Sequence, residues 1–185
     1  MGEAPALWMD MVKIIPLVIV LAVLQVAAAP QFISSPGGPD LVLALVVALA
    51  LWRSVELAAI TGFFAGLLLD AMSYAPLGTL SLLYVLAAVV VARRARPDPN
   101  PATPLPPRVP RHFVTWTVAA AVFVQLADAV LHRLLGTSLP LGYLLRVQII
   151  PSVIQTGLLA LVLSPLLKRM FARSARPDVS RIATA

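Results

Sequence analysis

Three polar side chains interrupt an apolar run in the last third of the sequence: Gln125, Asp128 and His132. Spaced i, i+3 and i+7, they share one face of a helix. A second stripe follows, with Arg146 and then Gln148, Ser152 and Gln155 at i, i+4 and i+7, and with Pro151 expected to break the helix in their midst. An acid and an imidazole one turn apart are a start toward proton transfer. Acid–base or nucleophilic catalysis needs more: a second acid, a serine in a strained turn, or a cluster of metal ligands. The sequence offers none of these at usable spacing, so no catalytic residue, no metal ligand and no cofactor is assigned. In apolar surroundings such groups need partners. The two stripes are therefore expected to face each other, Asp128 reaching Arg146 or His132, either as helix-packing contacts or as the walls of a small polar cavity.

Two further acids stand at the edges of apolar runs. Asp40 follows Pro36-Gly37-Gly38-Pro39 and precedes a hydrophobic stretch, the position of a helix N-cap. Asp70 closes a hydrophobic stretch, where a carboxylate meets the negative end of the helix dipole, so capping its own helix does not explain it. It is either solvated beside Ser73 and Tyr74, or it holds the neighbouring turn or a partner. Ahead of it, Ala59, Gly62 and Gly66 make a small-residue face that lets another backbone come close. That face packs inside the bundle, against the second or fourth apolar segment, or it is a docking groove for another protein's helix.

The elements that must carry these residues follow from composition. Of 185 residues, 60% are hydrophobic and 12% charged, with a mean hydropathy of +0.93. Soluble domains are about 25% charged. The chain has too little polar surface for a soluble globule and is expected to be an all-α integral membrane protein. Without cysteine it has no disulfide, no zinc finger and no thiol nucleophile. The N-terminal region is read as a retained first span from Ile14 to Ala29, not a cleaved leader, because Glu3 and Asp10 precede it with only Lys13. Leu41 to Leu69 is too long for one straight span and is expected to be a hairpin of two short helices with Trp52, Arg53 and Glu56 at its tip. Further segments run Leu77 to Ala92, Phe113 to about Leu135, and about Leu141 to Leu167.

Residues 1–92 thus hold four segments. Residues 93–112 form a linker whose seven prolines exclude helix. Residues 113–168 hold two more segments, and 169–185 form a basic tail. Placing the arginine-rich linker and tail in the cytoplasm puts 12 of the 14 basic residues there, with Arg133 and Arg146 outside. Both termini are then cytoplasmic. Trp8, Trp52 and Trp116 fall near the inner interface, Tyr74 and Tyr143 near the outer one. The net charge of +6 is a topology signal and an attraction to anionic lipid, not a nucleic-acid footprint.

The stretch from Pro39-Asp40 through Gly62-Phe63-x-x-Gly66-Leu67-x-x-Asp70 to Leu77-Gly78 resembles the signature of the rod shape-determining protein MreD family. The last span, with Pro151 and Gln155, resembles that family's as well, although asparagine is more usual where Gln155 stands. The resemblance implies a bacterial inner-membrane protein of six short transmembrane helices, similar in fold to the S component of energy-coupling-factor transporters. It implies a non-enzymatic scaffold of the elongation machinery that binds MreC and acts indirectly on MreB, RodA and a penicillin-binding transpeptidase. Ala59, Gly62, Gly66, Asp70 and Gly78 would be its partner-binding residues, and a homo-oligomer is open. The alternative is a vitamin-binding transporter subunit with an outward pocket around Asp128, Arg146 and Gln155.

Overall fold

Leu41–Trp52 is apolar on every side, and a helix of that kind belongs in an interior. In the computed structural model of the chain, which describes residues 14–27, 38–73, 76–95, 112–136 and 141–172, that is where it lies. Every residue from Leu41 to Leu51 is buried, with the other helices packed around them. The helices are α1 (Ile14–Ala27), α2 (Leu41–Trp52), α3 (Val55–Ser73), α4 (Thr79–Ala95), α5 (Phe113–Leu134), α6 (Leu141–Tyr143) and α7 (Ile150–Ala172). A π-helical segment, Leu144–Ile149, joins α6 to α7. Among the described residues the regular structure is all helical, without a strand.

The apolar stretch from Leu41 to Leu69 is two helices, not one. Arg53 leaves helical space at φ −126° and ψ −167°, and its N–H closes α2 on the Leu49 carbonyl at 2.8 Å. The Ser54 hydroxyl then accepts the Leu57 N–H at 3.2 Å, capping the start of α3. Glu56 in the first turn of α3 suits the positive end of that helix dipole.

Side-chain contacts fix how the helix ends alternate. Gln25, late in α1, accepts the Val42 N–H at the start of α2. Trp52 packs on Phe113 with ring centroids 5.1 Å apart, bringing the end of α2 beside the start of α5. Ser81 and Tyr84, early in α4, reach Phe63 in α3 and Asp40 before α2. Ser152, early in α7, bonds both Gln125 of α5 and Gly38. The start of α1, the α2–α3 junction, the end of α4 and the start of α5 therefore share one end of the bundle. Asp40, Asp70, Gly78 and the start of α7 share the other.

Val55–Ser73, Phe113–Leu134 and Leu144–Leu167 are long and apolar enough to cross a membrane. The helices Ile14–Ala27 and Leu41–Trp52 are apolar but shorter. At about 1.5 Å per residue they reach only about 20 Å, against a hydrocarbon core of about 30 Å. The outer faces are apolar too: Phe64 is 62% exposed, Leu158 62% and Val162 68%. Large apolar side chains exposed along the faces of a helix bundle mark contact with lipid or protein. The proline-rich stretch 96–111, the tail beyond 172, Trp8 and Tyr74, read from sequence as linker, basic tail and interfacial anchors, lie outside the described residues.

Candidate functional site

Two polar clusters and one cavity gather at the end of the bundle that holds Asp40. The first cluster is centred on Asp40 itself. Its Oδ1 accepts the Leu43 N–H at 2.9 Å, the bond expected of an N-cap. The Tyr84 hydroxyl donates to the same carboxylate, 2.7 Å from each oxygen. The Asp40 N–H donates to the Thr156 hydroxyl at 2.9 Å. One residue thus ties α2, α4 and α7 together where Asp40, Tyr84 and Thr156 are all buried. Sequence reasoning found the cap but missed Tyr84 and Thr156. Their signal was faint: a hydroxyl in an apolar helix implies a partner without saying which.

The second cluster is centred on Asp70, which is fully buried, so the solvated reading does not hold. Its Oδ2 accepts the Gly78 N–H at 2.8 Å, and both oxygens lie 3.2 Å from the Leu80 nitrogen. These are free N–H groups at the start of α4. Asp70 caps the helix that follows its own, which explains an acid at the unfavourable end of α3. Gly78 sits at φ +97°, a conformation open to glycine at little cost.

Gly62 and Gly66 face α4 of the same chain. A Cβ on Gly66 would lie 2.5 Å from the Ser81 Cα and N, and one on Gly62 would lie 3.2 Å from the Tyr84 carbonyl oxygen. The small-residue face is filled from within, so these glycines do not line a free groove for a partner helix. The closeness they permit lets the Ser81 hydroxyl donate to the Phe63 carbonyl at 3.1 Å. Ala59, one turn earlier, is half-buried.

The polar stripes of α5 and the last span meet only in part. Gln125 donates from its amide nitrogen to the Ser152 hydroxyl at 2.6 Å, and that hydroxyl donates to the Gly38 carbonyl at 2.9 Å. Asp128 reaches His132, with Oδ1 3.3 Å from Nδ1. It does not reach Arg146, which is exposed and makes no ion pair among the described residues. Residues two apart on a helix do not share a face. With Gln148 turned toward α5, Arg146 turns away.

Pro151 does not break the helix. The chain widens to π geometry just before it, Ile150 N–H bonding the Leu145 carbonyl, and then continues as α7. Proline lacks an N–H and crowds the carbonyl four residues back, and a wider turn relieves that conflict without ending the helix. Between α5 and this π segment lies a cavity of about 150 Å³ bordered by Gln125, Asp128, His132, Arg133 and Gln148. The pocket expected around Asp128, Arg146 and Gln155 is therefore built from a different set. Gln155 is outside its lining, with Oε1 buried and unbonded among the described residues. The described residues hold no cluster of three or more His, Cys, Asp or Glu able to ligate a metal.

No family model, curated protein or solved structure matches this chain.

Proposed function

We propose that the chain is a multi-pass protein of the bacterial inner membrane, six short spans with both termini cytoplasmic, and a non-enzymatic scaffold of the rod-type elongation complex. In this reading it belongs with the rod shape-determining protein MreD family. It binds MreC and thereby helps couple MreB filaments to peptidoglycan synthesis by RodA and its transpeptidase partner.

One observation carries the reading. The residues on which the resemblance rests form a single spatial unit, in which Asp40 ties three helices, Gly62 and Gly66 seat α4 against α3, and Asp70 with Gly78 closes the turn between them. A motif spread over some forty residues that converges on one helix-locking device behaves as the signature of a fold. Its polar groups are consumed in holding helices rather than presented to a substrate. Three helices able to span a membrane and an apolar outer surface support the membrane setting.

With the glycine face occupied, partner contact falls to exposed side chains beside it, Ile60, Phe63 and Phe64 on α3. Without a hydrophobic drive between helices in lipid, shape fit must do most of that work. The test places a photo-crosslinking residue at Phe64 in living cells and identifies what is caught. Capture of MreC is the expected result. A chain that crosslinks only lipid from every exposed face, in cells that keep their rod shape when it is depleted, has another role.

A further inference from the structure

The cavity between α5 and the π segment is not used up by helix packing, and its chemistry is specific. We infer that it binds a small zwitterion bearing a primary ammonium next to a phosphate, the chemistry of a phosphoethanolamine head group. The inference rests on the membrane reading above, which puts the end of α5 at the lipid–water boundary.

The cavity, about 150 Å³, has room for a compact head group. Three acceptors border it. Asp128 offers a carboxylate that meets the His132 imidazole at 3.3 Å. Gln148 is half-buried and makes no hydrogen bond among the described residues. Gln125 gives its amide nitrogen to Ser152 and keeps its carbonyl oxygen. A primary ammonium has three N–H donors, one for each acceptor. At the rim stands Arg133, exposed, with the planar fork of donors that suits a phosphate. Carboxylate inside and guanidinium outside give the site a polarity that matches ammonium first, phosphate second. The π segment presents Gln148 to the cavity, and π turns recur at binding sites. A trimethylated ammonium has no N–H to donate, and a glycerol head group has two hydroxyl donors but no cation to balance Asp128, so neither satisfies all three acceptors.

The ligand has two sources, a bilayer phosphatidylethanolamine or the free phosphate ester. Full-length protein purified in dodecyl maltoside is titrated with dihexanoyl phosphatidylethanolamine, O-phosphorylethanolamine, and the dihexanoyl choline and glycerol lipids. The readout is the thermal unfolding midpoint. A saturable rise with an ethanolamine compound, absent with choline and glycerol, is expected. A response to the lipid alone assigns the bilayer as source, a response to the ester alone assigns the free solute, and a response to both assigns the shared head group. Asp128→Asn should abolish the rise. Gln148→Leu should weaken the apparent affinity by about tenfold or more, the loss for one hydrogen bond to a charged group, while leaving the ligand-free midpoint unchanged because Gln148 holds nothing in place. Equal shifts with all three lipids, no shift with any compound, or undiminished affinity in Gln148→Leu overturns the inference. None of these outcomes bears on the scaffold reading, which stands on the capture of MreC.

Discussion

Asp70 and Gly78 lie eight residues apart and are joined by a 2.8 Å hydrogen bond, carboxylate to backbone N–H, that fastens the end of α3 to the start of α4. Hydrogen bonds to a charged acceptor are worth about 1.5–3 kcal/mol each. Asp70→Ala leaves the half-buried N–H groups of Gly78 and Leu80 without their acceptor. Asp70→Asn keeps one acceptor oxygen and loses the charge. Reversible unfolding in mixed dodecyl maltoside and SDS micelles should rank stability as wild type, then Asn, then Ala. Equal stability of Asn and wild type would mean that the second oxygen and the charge contribute nothing.

The two glycines of α3 should respond unequally. At Gly66 a methyl group meets backbone at 2.5 Å, so the helices must separate. At Gly62 the nearest atom is at 3.2 Å, which a shift of a few tenths of an ångström relieves. Overpacking costs about 1–3 kcal/mol where neighbours must move. Gly66→Ala belongs at or above the top of that range and Gly62→Ala near the bottom. The same micelle titration reads both, and a larger loss at Gly62 would contradict the helix contact described above.

The Asp40–Tyr84 pair should show coupling. Tyr84→Phe removes a donor from a buried carboxylate, and Asp40→Asn removes the charge that the donor serves. If the hydroxyl acts only through Asp40, the double variant loses less than the sum of the singles. Groups bonded this way couple by about 0.5–3 kcal/mol. Strict additivity, measured in a double-mutant cycle of unfolding free energies, would show that the two act independently.

What the sequence revealed and what it hid follow from the range of the interactions. Asp40 was legible as a cap because its acceptor bond runs three residues along the chain. The break at Arg53 and Ser54 was legible because Arg53 and Glu56 cannot both sit in the middle of one apolar span at small cost. Gly62 and Gly66 announced a close approach, but either occupant fits two glycines, and only the fold shows that α4 fills the space. Tyr84 and Thr156 were invisible as a set, since their bonds to Asp40 span 44 and 116 residues. Arg146 was misplaced because it stands two residues from Gln148, and residues two apart on a helix do not share a face.

Sidedness is open to a direct check, since the chain has no cysteine and any introduced thiol is unique. The start of α1, the α2–α3 junction, the end of α4 and the start of α5 share one end of the bundle, and that end carries Arg53, Arg93 and Arg94. Basic residues favour the cytoplasmic face. A membrane-impermeant maleimide should therefore label Gly142→Cys, exposed at the opposite end, in intact cells. Glu3→Cys and Asn100→Cys should label only after permeabilisation. Four segments lie between positions 3 and 100, so the two thiols must behave alike if each segment crosses the membrane. Opposite labelling would mean an odd number of crossings. The short α2, at about 18 Å, would then be the first to lose its place as a full span, and the N-terminus would move to the outside.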